Sequence, residues 1–413
     1  DDVEVPNNSA TQGMRDKLDE QVKEFEAIVK PLDSSKIIFL GTPQCEDSIY
    51  NKLRERGYTA KIWTAEYLER DKADKLYGSS LAPIISDECD PDNVGRSTEP
   101  LRFSDMDLEE RRLSYGRSGY AMQFMLNPRL SDADRYPLKI NDLIVTDVDD
   151  ELGHQKLVWA SSPEYAWDNS IPNVGFNGDR FFRPMEAIGD MVPFTGSVMS
   201  IDPSGRGKDE TGYAIVKMLN GQLFVPDCGG LKSGYGENVL NALAKKAARH
   251  KANKIVVESN MGDGMFTELL KPILRTTHPC SIEEVRHSTQ KEKRIIDTLE
   301  PVLNRHKLII DPSVIKNDFK SVQSYPTEKQ VRYTLVHQLS RITNDRGSLQ
   351  NDDRLDALAI AVNHWTEQMA QDADQQIKQR FREALEKELE NFTKAVFESG
   401  TYNRSSKASL AWF

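Results

Sequence analysis

The stretch SIDPSGRGKDETG, Ser200 to Gly212, can be read in two ways. Its glycines and Lys208 suggest a loop that cradles phosphate. Its Asp202, at the end of the apolar run GSVMSID, suggests a carboxylate held at a strand tip. A P-loop requires GxxxxGK followed by Ser or Thr, because amides and lysine take the phosphates and the hydroxyl takes a magnesium ion. Here Gly207-Lys208 is followed by Asp209, and Asp202 stands where the first glycine is needed. The dinucleotide pattern GxGxxG fails as well, since Gly205-Arg206-Gly207 runs on into Lys208, Asp209 and Glu210. The strand-tip reading survives: β-structure fixes the carboxylate, and the glycine-rich turn leaves room for a substrate backbone.

Taken alone, an Asp before a Pro is an ordinary turn. Two other segments change its meaning. KIVVES places Glu258 at the end of a second buried strand, followed by the loop NMGDG. NDDRLDALAIAV opens a helix with Asp352, Asp353 and Asp356, and the last two, three apart, share a helical face. The ordinary reading of that opening is a helix N-terminus favouring acids. Three acidic sites on one mixed sheet suit a pair of magnesium or manganese ions, which prefer carboxylate oxygens and catalyse phosphodiester hydrolysis.

The surrounding pattern, residues 194–368, supports such a sheet. GSVMSID, GYAIVKML and QLFVPDCGG read as three strands, the last two turning at Asn220-Gly221, a strong hairpin signal. Helix, strand, helix, strand, helix, strand and a closing helix follow, with KIVVES, IEEVRHS and KLIID as the strands. Before it, residues 1–90 alternate helix and strand. QGMRDKLDEQVKEFEAIVKPL is an amphipathic helix stopped at Pro31, KIIFLGTPQ reads as a short buried strand over Ile37–Leu40, and YTAKIWTAEY as another strand. Residues 91–193 are broken by Pro, Gly and Asp around one helix ending near Pro128, and read as lid and linker. Residues 369–413 hold a charged helix and a polar tail.

Composition excludes little. The 413 residues are 38% hydrophobic and 29% charged, typical of globular protein, and no apolar stretch approaches a membrane span. DDVEVPNNSA has neither the basic nor the apolar part of a signal peptide, and lacks a starting Met, so the chain is expected to begin inside a larger protein. Four cysteines without CxxC spacing read as reduced thiols. The net charge of -11 gives no global field for nucleic acid, although a local patch remains open to it.

The motifs SIDPSGRGKDETGYAIV, IVVESNMGDGMF, KEKRIIDTLEPVLNRHKLIID and NDDRLDALAIAV resemble the ribonuclease-H-like (RuvC-like) nuclease domain of phage terminase large subunits, most closely the DNA maturase B type of short-tailed phages. DDVEVPNN resembles the end of that family's Walker B strand, KIIFLGTPQ its coupling motif around Thr42, and RRLSYGRSGYAMQFMLNP the segment that joins ATPase to nuclease. The resemblance implies an α/β fold: a ribonuclease-H-like mixed sheet flanked by helices, preceded by the C-terminal part of a P-loop ATPase domain. It implies a two-metal endonuclease using Mg2+ or Mn2+, with Asp202, Glu258 and one of Asp353 and Asp356 as ligands; Asp209, seven residues past Asp202 across the glycine loop, reads either as an accessory ligand or as a solvated loop acid. Asp1 would be the magnesium-side acid of the ATPase, and Asp2 or Glu4 its catalytic acid. With no phosphate-binding loop in the chain, ATP would be turned over only by the complete protein.

The implied partners are double-stranded DNA, a portal protein, a small terminase subunit and a homo-oligomeric ring, commonly a pentamer, in the cytoplasm of an infected bacterial cell and transiently on the procapsid, with no membrane. The helix and tail of residues 369–413 would serve portal docking. DNA would meet Arg206 and Lys208 in the opening loop and Arg286, His287, Lys291, Lys293 and Arg294 further on, the last three opening a helix whose amides also meet phosphates. Arg332, Tyr333 and His337 are weaker candidates. The competing readings are a resolvase or transposase of the same fold, against which the ATPase-like first third argues, and a non-enzymatic portal-docking connector.

Overall fold

The computed structural model describes residues 2–129, 135–168, 170–176, 178–204, 210–259 and 264–372. Asp1, Arg206, Lys208, Asp209 and the charged C-terminal helix lie outside the described residues. The chain divides into two compact units, Asp1–Ala361 and Val362–Phe413. Of the second, residues 362–372 are described and are helical.

The first unit is built on seven strands: β1 (Ile144–Val145), β4 (Gly196–Asp202), β5 (Thr211–Leu219), β6 (Gln222–Leu231), β7 (Lys254–Glu258), β8 (Ser281–Val285) and β9 (Leu308–Ile310). Their order across the sheet is β1-β9-β6-β5-β4-β7-β8, while β2 (Leu152–Val158) and β3 (Glu186–Pro193) form a separate two-stranded ribbon. The strands β4, β5 and β6 are an antiparallel meander, and β7, β8, β9 and β1 join it in parallel. The meander follows from its turn: Asn220 and Gly221 both adopt positive φ, as a two-residue hairpin of the favoured twist demands.

Parallel addition needs crossover helices. Helices of this unit include α1 (Gln12–Ile28), α2 (Ile49–Glu55), α3 (Asp105–Gln123), α4 (Glu237–Arg249), α5 (Met265–Thr277), α6 (Lys291–Asn304), α7 (Pro312–Ser321), α8 (Leu335–Arg341) and α9, the helical residues 353–361. On α4, Val239, Leu240, Leu243, Ala244 and Ala247 recur on one face and pack with Phe266, Leu270 and Leu274 of α5 onto Met199, Ile201, Ile215, Ile255 and Val257 of the sheet. In α9, Leu355, Ala357, Leu358 and Ala359 are all buried. Among the described residues no helix is long and apolar enough to cross a membrane.

Two sequence expectations in the first ninety residues are corrected. Residues 36–43 form no strand, and Ile38 and Leu40 are 72% and 65% exposed; Phe39 packs inward, beside Leu18, Val22 and Leu53. The segment YTAKIWTAEY likewise forms only isolated bridges, Ile62 to Leu81 and Glu66 to Ser97. Both have the composition of strands, but a strand is stabilised by the ladder it shares, and neither has a partner strand among the described residues.

Candidate metal centre

Parallel register brings the first two acids together. Ile201 of β4 pairs with Val257 of β7, so the following residues, Asp202 and Glu258, leave adjacent strands at the same end of the sheet. The carboxyl ends of parallel strands are where open α/β sheets build their sites. Asp356 comes from the first turn of α9, which is fastened to the sheet close by: Ser200 Oγ, two residues before Asp202, donates to the carbonyl oxygen of Ala357. One oxygen from each of Asp202, Glu258 and Asp356 lies within 4.8 Å of the others. Asp356 is fully buried, and Glu258 is 6% exposed.

Such a gathering of acids is costly without positive charge. The amino end of α6 supplies it. Lys291 Nζ stands 2.9 Å from Asp352, 3.0 Å from Asp356 and 3.5 Å from Asp202. Arg294 Nη2 donates to Asp356 Oδ1 at 2.7 Å and stands 3.5 Å from Glu258. His287 Nδ1 faces Glu258 Oε1 at 3.0 Å. The compensation is incomplete: Asp356 Oδ2 lies near Lys291 yet accepts no well-directed hydrogen bond. Burial, and then the charges of Asp356, Glu258 and Asp353, raise the Asp202 carboxyl well above its ordinary range against the pull of Lys291. A set of three converging carboxylate oxygens, one of them with an unused buried lone pair, fits a hard divalent cation.

The other expected residues fall in different places. Asp353 stands outside the gathered set, although its charge is felt at Asp202. Lys291 and Arg294, read from the sequence as phosphate-binding cations, are counter-charges of the acids. Lys293 and Arg286 are exposed, and Arg286 Nε lies 3.3 Å from Ser259 Oγ. At the other end of the chain, Asp2 is exposed and receives the Tyr50 hydroxyl at 2.6 Å and the Thr42 amide at 3.3 Å. Glu4 is fully buried and accepts from the Gln44 and Ile49 amides, both at 2.7 Å, and from Ser48 Oγ at 2.9 Å. Of these two acids, then, Asp2 is the accessible one, while Glu4 caps α2. Arg332 pairs with Asp16 of α1, and His337 and Tyr333 are buried. The pairing of Asp352 with Lys291 and the tie from Ser200 to Ala357 were not foreseen, although both residues lie in quoted motifs, because each joins elements far apart in sequence.

The family described as Terminase Bacteriophage T7, Ribonuclease H-like domain, matches residues 201–308, the segment from β4 to β9. The terminase large subunit of Enterobacteria phage T3 is 43% identical over 377 residues, which are 90% of this chain and 64% of that protein; the chain thus spans less than two thirds of that relative's length. Two solved structures are similar in part. The human cytomegalovirus terminase nuclease domain, Mn-soaked and inhibitor-bound, overlaps 41% of this chain and 82% of its own at 14% identity and a TM-score of 0.31. The large terminase nuclease from thermophilic phage G20c overlaps 55% and 98% at 10% identity and a TM-score of 0.29. Along nine tenths of its length the chain is similar to the phage T3 terminase large subunit, and the segment that matches the ribonuclease H-like family runs through the strands that carry Asp202 and Glu258.

Proposed function

We propose that this chain carries the metal-dependent endonuclease of a DNA-packaging terminase, cutting concatemeric double-stranded DNA as a genome is packaged. The observation that supports it is the convergence of Asp202, Glu258 and Asp356, from two strands and a helix, with their oxygens within 4.8 Å of one another. Those three residues would hold Mg2+ or Mn2+, with Asp209 as an accessory ligand. When bound, the metal supplies a polarised phosphate oxygen and a water acidified towards hydroxide.

The protein's own groups do the rest. Arg294 and His287 orient Glu258, Arg294 orients Asp356, and Lys291 keeps the acids from repelling one another before a cation arrives. Arg286 and Lys293, exposed near this centre in sequence, and Arg206 and Lys208 of the opening loop, would contact DNA phosphates in a sequence-tolerant, salt-sensitive way. In the whole protein, Asp2 beside Thr42 would belong to an ATPase fuelled by ATP, with a portal protein, a small subunit and a ring of copies as partners, at work in the infected cell's cytoplasm.

The test is plasmid cutting in Mn2+ by the parent and by Asp202→Asn, Glu258→Gln and Asp356→Asn. Each substitution is expected to remove metal-dependent nicking while cooperative unfolding persists. Normal nicking by a folded Asp202→Asn or Glu258→Gln protein would sink the assignment.

A further inference from the structure

The acids of α9 are held from behind by a buried charge that the metal reading does not use. Arg354 lies between Asp353 and Asp356 in sequence. Two residues along a helix are about 200° around it, so Arg354 projects away from Asp356. Its guanidinium is fully buried and almost fully bonded. Nε and Nη2 donate to the two oxygens of Glu210 at 2.8 and 3.0 Å. Nη1 donates to Asp318 Oδ1 at 2.6 Å and to Ser321 Oγ at 2.9 Å. Glu210 takes a further hydrogen bond from the Tyr325 hydroxyl, and Asp318 takes the Leu335 amide through both oxygens.

We propose that Arg354 is a positioning residue of the metal centre: through Glu210 and Asp318 it sets the first turn of α9 against the sheet, and thereby sets Asp356 among the metal-binding oxygens. The proposal rests on the metal-site reading given above.

Three observations lead to it. First, Glu210 is the residue at which the chain re-enters the described sheet after Asp202, immediately before β5. One guanidinium therefore ties the return of the opening loop to the helix that carries the third acid. Secondly, the sheet is hollowed to receive this arrangement. Gly212 and Gly230 face one another across β5 and β6. A Cβ at Gly212 would overlap the Asp353 carbonyl, and one at Gly230 would overlap the Glu210 carboxylate. The helix turn and the ion pair thus lie directly on strand backbone, where only glycine leaves space.

Thirdly, stability does not require this solution. A buried ion network is commonly no more stable than apolar packing of the same volume, but its directed bonds admit one geometry. The rest of the turn is fixed in the same manner: the Leu355 amide donates to the buried Gln338 Oε1 at 3.0 Å, and Ser200 holds the Ala357 carbonyl. Metal centres lose affinity when the groups that orient their ligands are removed.

The test uses the full chain and Mn2+ as the probe. The triple variant Glu210→Gln, Arg354→Met, Asp318→Asn removes every charge of the network together and leaves an acceptor for the Leu335 amide. Its Mn2+ dissociation constant, by isothermal titration, is expected to rise about 10- to 100-fold. The Mn2+ concentration for half-maximal cutting should rise by the same factor, with the rate at saturating Mn2+ much less affected. Should the triple variant not fold, Tyr325→Phe carries the test: losing one hydrogen bond to Glu210 is expected to weaken Mn2+ about threefold to fivefold. A folded variant with parental Mn2+ affinity overturns the proposal. Asp202→Asn is the control that separates the two readings. If it loses Mn2+ while the network variants keep it, only the positioning role falls. If Asp202→Asn binds Mn2+ like the parent, the metal-site reading falls and the positioning role with it.

Discussion

Lys291 Nζ lies 3.0 Å from Asp356 Oδ2, at the corner where the acids of β4, β7 and α9 converge. Burial acts to lower the lysine pKa, but the charges of Asp356, Asp202 and Asp352 outweigh it and raise it, so the ammonium stays charged at neutral pH. A fixed cation in that position both supports the metal-free centre and competes with a cation that would enter it. Lys291→Ala is therefore expected to destabilise the metal-free protein by about 1 kcal/mol, a modest figure because the lysine side chain is 36% exposed. Added Mn2+ should then stabilise the variant more than the parent. Thermal unfolding with and without Mn2+ checks this; an equal rise in Tm for both proteins would rule the competition out.

The two acids of the helix that share one face are separated by the structure. Asp356 joins the gathered oxygens and receives Arg294, whereas Asp353 acts on Asp202 from outside the set. Asp356→Asn is expected to bring cutting below detection, and Asp353→Asn to cost about 10- to 100-fold. Single-turnover cutting rates in Mn2+ distinguish them, and a reversed order of severity would exchange their roles.

Where a residue's meaning lay in local pattern, it was legible in the sequence. Asp202 and Glu258 were marked by the buried strands that end in them, and the β5–β6 hairpin by Asn220-Gly221. Where meaning depended on which elements meet, it was not. KEKR reads from the sequence as a phosphate-binding helix start or as a solvated helix face; only the placement of α6 beside the ends of β4 and β7 gives Lys291 and Arg294 to the carboxylates. Spacing could not rank Asp2 and Glu4, because burial separates them and burial is tertiary. Residues 36–43 have strand composition and no ladder, and composition cannot supply the missing partner.

His337 gives the fold a pH dependence of predictable sign. Burial first, and the nearby Arg341 charge second, lower its pKa to about 4 against the opposing effect of Asp47. The folded state thus keeps the imidazole neutral at pH values where the unfolded chain, with a pKa near 6.5, binds a proton. Stability is then lost as the pH falls from about 6.5 towards 4, by about 2 kcal/mol at pH 5. His337→Gln has no such proton to take up. Urea unfolding at pH 7 and pH 5 should show a smaller acid-induced loss in the variant than in the parent; equal losses would show that His337 titrates normally in the fold.

Asp16 and Arg332, far apart in sequence, form a two-pronged ion pair between α1 and the segment that leads to α9, with Nη1 2.7 Å from Asp16 Oδ2. Gln350 Oε1 accepts from the same Nη1 at 3.0 Å, and the Gln12 amide donates to the Ser348 carbonyl at 3.2 Å. Both charged side chains are largely buried, at 23% and 17% exposure, and the paired geometry spends little further entropy. A double-mutant cycle of Asp16→Asn and Arg332→Gln is therefore expected to give a coupling of about 1–2 kcal/mol in urea unfolding. The pair Lys251–Glu151 is the comparison, since both side chains are about two thirds exposed and solvent screens them. Its cycle should give a coupling near zero. A coupling for Asp16 and Arg332 no larger than that would mean that the first residues of the chain are held to the acid-bearing helix by packing alone.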